Sequence, residues 1–304
     1  MSSDVIEVND LTKKYDDLVA VDSISFEVKK GEIFSFVGPN GAGKTTTVEI
    51  LECLRTPTSG SAKVLGYDIE TQEEKIKERI GVMPQDFNTF ERLTAEENIR
   101  LMADMYGTKN VDEIMEMVGV SEFKDKNFSD LSGGMQTKVG IGMTLISNAE
   151  LLFLDEPTTG LDPHARRDTW NLIKKLKRKG KTIFLTTHYM EEVEELSDRA
   201  AVLIDGQIEV MDSIDNLVQR YGGGIKVIVG ENGEIERLTT ERADETFKNE
   251  DGDLVGIFDN KKKARKALVE LFQMEGEIEV KEAGMEDAFI RLTGGKIDEE
   301  GELR

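Results

Sequence analysis

The chain has 304 residues, 38% of them hydrophobic, which is enough for one large α/β domain and a smaller one. Its formal net charge of −22 argues against a nucleic-acid partner, because phosphate backbones are bound by concentrated Lys and Arg. The single cysteine, Cys53, excludes an intrachain disulfide and a cysteine-rich metal site. The first residues lack a signal-peptide pattern, and no stretch offers about 18 uninterrupted apolar residues. If the protein works at a membrane, we therefore expect another chain to supply the channel.

The N-terminal part of the chain reads as short strands that lead into a glycine-rich loop. Residues 5–8 partly alternate and residues 23–28 fully alternate between apolar and polar side chains, as half-buried strands do. Residues 33–37 are almost wholly apolar, which predicts a central strand buried on both faces. The loop 38–46 follows, and residues 45–54 predict a helix. Strand, glycine loop and helix in this order are the setting of a phosphate-binding loop.

The middle of the chain changes to a helical pattern over about residues 84–148. Within it, Thr94 and Glu97 predict a capping box at the start of a helix. The αβ pattern then resumes, with strand 151–154, helix 165–179, strand 182–186, helix 190–196 and strand 201–204. Strands that alternate with helices predict a mostly parallel sheet with helices on both faces.

The C-terminal part has a different composition and predicts a small α+β domain. Residues 222–224 are three consecutive glycines and mark a turn or the end of a linker. The pattern beyond them predicts strands 225–229, 254–258 and 278–280 and helices 261–272 and 285–292. We therefore predict one domain over residues 1–222 and a second over 223–304, with the acidic segment 298–302 fraying at the end.

The glycine-rich loop matches the pattern Gly-x4-Gly-Lys-Thr of a P-loop. Its residues are Gly38, Pro39, Asn40, Gly41, Ala42, Gly43, Lys44, Thr45 and Thr46. Glycines let the backbone curl so that successive N–H groups face phosphate oxygens, and the following helix adds its N-terminal partial positive charge. Lys44 is expected to bridge the β- and γ-phosphates, and the Thr45 hydroxyl to bind Mg²⁺. The loop thus predicts a nucleoside triphosphate as ligand.

Two acidic residues end the buried strand predicted at 151–154. Asp155 is expected to hold Mg²⁺ through water, because a strand beside the P-loop strand delivers its terminal carboxylate to the metal. Glu156, one residue further on, is placed to polarise the attacking water as general base. Alone this motif is weak, and the P-loop makes it specific.

A second phosphate cradle is predicted at Ser132, Gly133 and Gly134, which open a helix. One domain has no need of two separate cradles for the γ-phosphate. The simplest account is that this cradle completes the site of a second copy. An isolated tripeptide of this kind is more often a turn, and its position before Asp155 argues for function here.

Together these motifs resemble those of ATP-binding-cassette (ABC) transporter ATPases, in the branch of daunorubicin-resistance-type and other multidrug or sodium exporters. The resemblance covers residues 4 to about 220 in full and the tail more loosely, and residues 284–294 are similar to the closing helix of the exporter branch. It implies a P-loop NTPase core with an antiparallel β subdomain and a helical subdomain, followed by a small α+β C-terminal domain.

The resemblance implies roles for residues that mean little alone. Tyr15 matches the aromatic that stacks on adenine, although by sequence alone it fits an ordinary loop aromatic equally well, and Ala20 matches a small residue near the ribose. Gln85 matches the glutamine that touches Mg²⁺ and reports to the membrane subunit. Residues 157–163, which include Asp162, match the loop that crosses between two subunits.

His188 matches the family's switch histidine, which donates to the γ-phosphate and helps to position Glu156. His164 lacks such a setting and is interpreted as a surface residue, and Cys53 as a small core residue. One departure is Met135, which stands where many relatives carry Gln, with Gln136 displaced by one. Because phosphate is bound by the serine and the glycine amides, we expect little loss of binding.

The resulting hypothesis is a head-to-tail homodimer that binds two Mg-ATP molecules and drives a separate integral-membrane permease, from the cytoplasmic face of the membrane. Two alternatives stay open. One is a soluble ABC ATPase that acts on ribosomes, DNA or metal-cluster assembly, which would co-purify with a soluble complex. The other is a regulatory subunit that binds ATP without turnover, which a phosphate-release assay would reveal.

Overall fold

The computed structural model describes residues 4–230, 232–249 and 252–295, so the predicted acidic segment 298–302 lies outside the described residues. The described chain divides into two compact units, the first ending at Met211 and the second beginning at Asp212. This division precedes the predicted domain boundary, because helix Ile214–Tyr221 packs on helix Met285–Thr293 inside the second unit. The assignment of residues 1–222 and 223–304 to separately folding domains stays a prediction.

The first unit contains ten strands, seven α-helices and the short 3-10 helix Phe128–Asp130 among its described residues. The strands are β1 (Asp4–Tyr15), β2 (Leu18–Lys29), β3 (Ile33–Val37), β4 (Ser59–Val64), β5 (Tyr67–Asp68), β6 (Ile80–Met83), β7 (Leu151–Asp155), β8 (Thr182–Thr187), β9 (Arg199–Ile204) and β10 (Gln207–Ser213). The helices are α1 (Lys44–Leu51), α2 (Glu73–Lys77), α3 (Ala95–Tyr106), α4 (Val111–Val118), α5 (Gly133–Leu145), α6 (Pro163–Arg178) and α7 (Met190–Leu196).

The central sheet has six strands in the order β10-β9-β3-β8-β7-β6, and the pairings of β3, β6, β7, β8 and β9 are parallel. Every residue of β3 and β8 is buried, as expected for strands covered on both faces. Alternate residues divide between two cores. Leu152 and Leu154 of β7 face the core shared with α3, α4 and α5, whereas Leu151 and Phe153 face the core shared with β1 and β2. The predicted parallel sheet is thus confirmed.

A second sheet, in the order β2-β1-β4-β5, is antiparallel throughout and forms the β subdomain implied by the resemblance. Its first two strands are longer than the short strands predicted, because the chain continues as a hairpin on both sides of the tight turn between Tyr15 and Leu18. Strand β1 lies between β2 and β4, so β1 is hydrogen-bonded along both of its edges. The fold class predicted for the core is therefore confirmed.

Two helix ends show how local chemistry sets the boundaries. At the start of α3, Thr94 N–H donates to Glu97 Oε2 (2.8 Å) and Glu97 N–H donates to Thr94 Oγ1 (3.1 Å), which is the predicted capping box. Helix α1 ends at Leu51 and not at residue 54 as predicted. The reason is the backbone of Cys53, which is left-handed (φ 59°) and turns the chain out of the helix.

The second unit contains α8 (Ile214–Tyr221), β11 (Ile225–Val229), α9 (Gly233–Arg242), β12 (Glu245–Lys248), β13 (Leu254–Phe258), α10 (Lys261–Leu271), β14 (Ile278–Glu282) and α11 (Met285–Thr293). Its antiparallel sheet has the order β12-β13-β11-β14, and β11 to β14 follow the chain order β-α-β-β-α-β. This is the ferredoxin-like arrangement. Helices α9 and α10 pack on β11 and β13, and the predicted small α+β architecture is confirmed.

In the described part of the chain, no helix combines the length and the hydrophobicity that a membrane span requires.

One buried side chain organises the loop that leads into α3. Asn98 is 1% exposed, and its Oδ1 accepts from Thr89 Oγ1 (2.7 Å) and from Phe90 N–H (3.2 Å). Its Nδ2 donates to the carbonyl oxygens of Phe90 (3.1 Å), Leu93 (3.3 Å) and Thr94 (3.0 Å). A single amide therefore contacts five polar groups of one loop, and it is the acceptor for the Phe90 N–H and the Thr89 hydroxyl, whereas the three carbonyl oxygens also accept from backbone N–H groups.

We predict that Asn98→Ala lowers the free energy of unfolding by about 1–3 kcal/mol, because the Thr89 hydroxyl and the Phe90 N–H lose their acceptor. Urea unfolding followed by circular dichroism measures the change. The matched control is Asn110→Ala, since Asn110 precedes α4 without a side-chain capping bond and should cost less than about 0.5 kcal/mol. Equal losses in the two variants would contradict the role of the Asn98 network.

Candidate functional site

The glycine loop leaves the end of β3 and enters α1, and its glycines are required by close backbone approaches. Gly43 precedes α1 with φ 99°, and a Cβ there would lie 2.4 Å from the carbonyl oxygen of Ala20. A Cβ at Gly38 would lie 2.3 Å from the carbonyl oxygen of Leu203. Neither distance is compatible with a side chain, so the sequence folds here only with glycine.

Lys44, the first residue of α1, is 6% exposed and lies folded over the loop. Its Nζ donates to the carbonyl oxygens of Gly38 (2.8 Å) and Pro39 (3.1 Å). Burial lowers the pKa of Lys44, and the negative charges of Glu156 and Asp155 oppose this shift. The lysine is thus held among polar groups of the site that the sequence predicted for it.

A cleft of about 240 Å³ opens beside the loop. Ten residues predicted for the site line it: Tyr15, Ala20, Asn40, Gly41, Gly43, Lys44, Thr45, Thr46, Gln85 and Glu156. One lining residue, Leu18, was missed by the sequence analysis. It begins β2 just after Tyr15 and is 65% exposed. An apolar side chain at the tip of a hairpin was the only available signal.

The two carboxylates sit at the end of β7, next to β8. Glu156 has a left-handed backbone (φ 48°), which turns its side chain away from the strand direction, and such strained residues cluster at active sites. Thr186 of β8 holds both residues, since its Oγ1 donates to Asp155 Oδ1 and its carbonyl oxygen accepts from Glu156 N–H (3.0 Å). Thr186 was not among the predicted site residues, although a polar residue in a fully buried strand was a usable signal.

The Glu156 carboxylate is buried and lies at the centre of a polar cluster. Gln85 and Thr159 reach it from exposed positions and His188 from a buried one. Its Oε2 accepts from Gln85 Nε2 (3.1 Å) and from Thr159 Oγ1 (3.1 Å), and His188 Nδ1 lies 3.1 Å away. Glu156 is 8% and His188 7% exposed. The structure thus brings together three residues that lie far apart in the sequence and were predicted for one site. Thr159 joins them without having been predicted.

Opposing effects act on the two carboxyl groups. Burial alone would raise the pKa of Glu156, but the interaction with His188, the charge of Lys44 and the Thr159 hydrogen bond together hold that pKa below its ordinary value. Burial raises the pKa of Asp155, and the neighbouring Glu156 charge adds to this effect, while the Thr186 hydrogen bond opposes it. Glu156 is therefore the carboxylate that stays ionised most readily.

The His188 ring is buried, and neither of its nitrogens makes a hydrogen bond within the described part of the chain. The 3.1 Å separation from Glu156 is an ion-pair distance whose angles fall outside hydrogen-bond geometry. The ring packs on Tyr189, with centroids 4.1 Å apart. A buried polar group without a partner calls for an explanation, and a ligand atom in the cleft is one. His164, by contrast, has an 89% exposed side chain, as predicted for a surface residue.

The second predicted cradle lies outside this cleft, at the start of α5. Ser132 precedes the helix without a side-chain capping bond, and both Ser132 and Gly133 are exposed. Gly134 is buried, and α6 packs so close to it that a Cβ there would lie 2.8 Å from Ala165 Cβ. The helix N-terminus thus stays open to a ligand from outside the chain.

Three further predicted positions have structural partners. Asp162 caps α6, because its Oδ1 accepts from the N–H groups of His164 (2.9 Å) and Ala165 (3.0 Å), and the Ala165 bond lowers the pKa of Asp162. Met135 packs partly buried against the core, and Gln136 Nε2 donates to the Phe128 carbonyl oxygen (3.3 Å). The displaced glutamine therefore braces the segment that leads into the cradle.

The residues predicted to bind Mg²⁺ offer oxygen ligands, which this ion prefers. They are Thr45, exposed in the cleft, Gln85 and Asp155. Asp155 uses Oδ1 for the Thr186 bond, and its Oδ2 has no hydrogen bond to the residues described here. One carboxylate plus substrate phosphates is a typical environment for Mg²⁺. These donors fit the ion.

Comparison with known proteins agrees with this geometry. The family model of ABC transporters matches residues 21–159. The linearmycin resistance ATP-binding protein LnrL of Bacillus subtilis is 38% identical over 225 residues, which cover 72% of each chain. The daunorubicin/doxorubicin resistance ATP-binding protein DrrA of Streptomyces peucetius is 31% identical over 97% of this chain and 94% of that protein. The Nod factor export ATP-binding protein I of Rhizobium etli is 34% identical over 96% and 94%.

Solved structures are also similar to this chain. The ATP binding subunit of an ABC transporter is 28% identical, with a TM-score of 0.64 over 72% of this chain and 93% of that chain. A dimeric post-hydrolysis state of the cassette MJ0796, bound to ADP and Pi, is 28% identical, with a TM-score of 0.62 over 68% and 98%. The fold and the site define a P-loop ATPase. This chain belongs to the ABC transporter family, and it is an ATP-binding and ATP-hydrolysing subunit of that family.

Glu52, at the end of α1, is a buried acid close to the site. It is 5% exposed, and burial, with the charges of Asp155 and Glu49, raises its pKa from 4.5 to about 8. Between these values the folded state keeps the proton while the unfolded state is ionised. The free energy of unfolding therefore falls as the pH rises from about 5 to 8.

We predict that Glu52→Gln removes this loss, because glutamine has no proton to release. The stability advantage of the variant over the wild type should grow by up to about 1.4 kcal/mol per pH unit in that window. Urea unfolding at a series of pH values measures it. Glu70→Gln, at an exposed position, is the control and should show no such trend. A constant difference between Glu52→Gln and the wild type would contradict the prediction.

Proposed function

We propose that two copies of this chain bind two Mg-ATP molecules between them, and that each site combines the cleft of one copy with the Ser132–Gly134 cradle of the other. The observation that carries the proposal is the buried Glu156 carboxylate, contacted by Gln85 and His188 beside the glycine loop. A strained, buried acid next to a phosphate-binding loop is suited to hydrolysis.

In this proposal the loop amides and Lys44 Nζ hold the phosphates, and the start of α1 adds its partial positive charge. The adenine and ribose lie toward Tyr15 and Ala20, which line the same cleft. Thr45, Gln85 and Asp155 hold Mg²⁺, which neutralises the charge that develops on the phosphates. The work of the protein is mainly positioning and electrostatic stabilisation.

Glu156 acts as the general base that orients the attacking water. Its depressed pKa keeps the carboxylate ionised near neutral pH, so that it can accept a hydrogen bond from water. His188 donates from its ring to the γ-phosphate, which supplies the partner that its buried nitrogens lack in the described part of the chain. Gln85, which donates to Glu156, links the site to the loop leading to α3.

The cradle at Ser132 serves the site of the partner copy. Its position outside the cleft supports this assignment, since one chain then presents two separate phosphate-binding elements. Asp162 belongs to the loop between the two copies, and its capping of α6 gives that loop a fixed end. The dimeric form of the similar cassette MJ0796 supports a dimer for this chain.

We further propose that ATP-driven closing and opening of the dimer works a separate integral-membrane permease at the cytoplasmic face of the membrane. Relatives named for drug resistance and for Nod factor export support an exporter. Exposed apolar side chains at both ends of α3 support a docking surface on this helical region, and they include Phe90, Met105 and Tyr106. The permease would select the substrate.

We predict that Glu156→Gln binds ATP normally but lowers turnover by roughly two to four orders of magnitude, because the general base is removed. Phosphate release and nucleotide binding are measured separately, and sedimentation should reveal a longer-lived ATP-bound dimer. His164→Ala, at an exposed position, is the control and should keep wild-type turnover. Near-normal turnover of Glu156→Gln would reject the role of Glu156.

A mixing experiment tests whether the site is shared between copies. Lys44→Ala and Ser132→Arg should each abolish turnover alone. When the two variants are mixed, a mixed dimer contains one site with both changes and one intact site, so about a quarter of wild-type turnover should return. A site built within one chain predicts no recovery, and that result would reject the shared site.

A further inference from the structure

A fully buried glutamate joins two parts of the site. Glu192 lies in the first turn of α7, one turn after His188, and has no exposed surface. Its Oε1 accepts from Thr158 Oγ1 (2.8 Å) and from Trp170 Nε1 (2.9 Å). Neither Glu192 nor its two donors belongs to the ATP site described above. Burial of a carboxyl group costs free energy unless the group is hydrogen-bonded, so the partners of Glu192 call for a functional explanation.

Thr158 connects this glutamate to the catalytic loop. It follows Glu156 by two positions and is fully buried, and the next residue, Thr159, donates to the Glu156 carboxylate. The Thr158 carbonyl oxygen accepts from Leu161 N–H (3.2 Å), so the loop is closed on itself as well. The hydroxyl of Thr158 is therefore the bond that fixes this loop to α7, the helix that follows His188.

The second donor to Glu192 Oε1, Trp170, comes from helix α6. Trp170 lies in the middle of α6, is 5% exposed and packs in the core beneath the helices. Burial raises the pKa of Glu192, and interactions with the side chains of Thr187, Thr158 and Trp170, together with the charge of Arg166, oppose that shift. Glu192 Oε2 has no partner at hydrogen-bond geometry in the described part of the chain, so the two well-formed hydrogen bonds, from Thr158 and Trp170, both go to Oε1.

We propose that Glu192 is a positioning residue for ATP hydrolysis, which holds the loop carrying Glu156 in register with the helix that follows His188. The proposal rests on the proposed roles of Glu156 and His188. Its physical basis is that a misplacement of about 1 Å in a reacting group can cost two orders of magnitude in rate. Two short bonds from rigid elements to one oxygen are the type of support that such precision requires.

The two donors to Oε1 provide a matched pair of variants. Thr158→Val removes the bond to the catalytic loop, and Trp170→Phe removes the bond to the scaffold. We expect Thr158→Val to lower kcat about ten-fold or more. Trp170→Phe should stay within about two-fold of the wild type, because the loop bond remains. KM for ATP should change little in either variant, since neither residue lines the cleft.

Two substitutions of Glu192 itself complete the test. Glu192→Gln keeps an acceptor oxygen and should retain most of the wild-type kcat, whereas Glu192→Leu removes the acceptor and should match Thr158→Val. Thermal unfolding is recorded for all four variants. A purely structural role would lower stability and kcat to the same degree in Thr158→Val and Trp170→Phe, and that result would overturn the proposal even if Glu192→Leu fails to fold.

The two proposals fail in different ways. No phosphate release by the wild-type chain would reject hydrolysis at this site, and the positioning role with it. If the wild type hydrolyses ATP, Glu156→Gln loses turnover and Thr158→Val keeps it, the positioning role alone would be rejected. If both of these variants lose turnover and Trp170→Phe stays close to the wild type, the positioning role of Glu192 would be supported.

Discussion

Three parallel strands end at the same edge of the central sheet, and the register between them determines where every reactive group lies. Val37, the last residue of β3, pairs with Thr187 of β8, and Asp155 of β7 pairs with Thr186. The glycine loop, Glu156 and His188 each follow directly after one of these strands, and Asp155 is the last residue of β7. Because the backbone hydrogen bonds of buried strands cannot be exchanged for water, this alignment is costly to change.

The same register explains why the acidic residues differ in environment. Side chains of a strand alternate between its two faces, so a slip of one residue would move each of them to the other face. Asp155 still belongs to β7 and is bound by Thr186, whereas Glu156 has left the strand with a left-handed backbone. Two adjacent carboxylates therefore point to different partners, and opposite pKa shifts follow from this difference.

Most of the core could be predicted from the sequence because strong local signals agree with the final packing. The apolar run at residues 33–37, the capping box at Thr94 and the αβ alternation after residue 150 all correspond to observed elements. The glycine loop could be predicted as well, because its backbone conformation excludes side chains and therefore requires glycine at fixed positions. Resemblance to a known family then added positions such as Tyr15 and Gln85, which carry no local signal and nevertheless line the cleft.

What the sequence did not reveal depends on contacts between distant segments. Thr159 looks like an ordinary loop residue, and although Thr186 stands out as a polar residue in an apolar strand, its partners Asp155 and Glu156 are known only from the folded chain. Helix α9 and strand β12 were missed because their apolar residues are few, and β12 is exposed along its whole length. The ferredoxin-like order of the second unit could not be read from a single sequence either, because strand order is a property of pairing and not of composition.

The contact of Lys44 with its own loop has a consequence for the energetics of ligand binding. An ammonium group has three hydrogens, and two of them are already engaged by the carbonyl oxygens of Gly38 and Pro39. The long side chain is thus ordered by the fold itself, and little rotamer entropy remains to be lost when a phosphate arrives. The loop is therefore preorganised. Little of the free energy of its contacts is lost in ordering Lys44, so more of it can distinguish ligands that have a terminal phosphate from ligands that lack one.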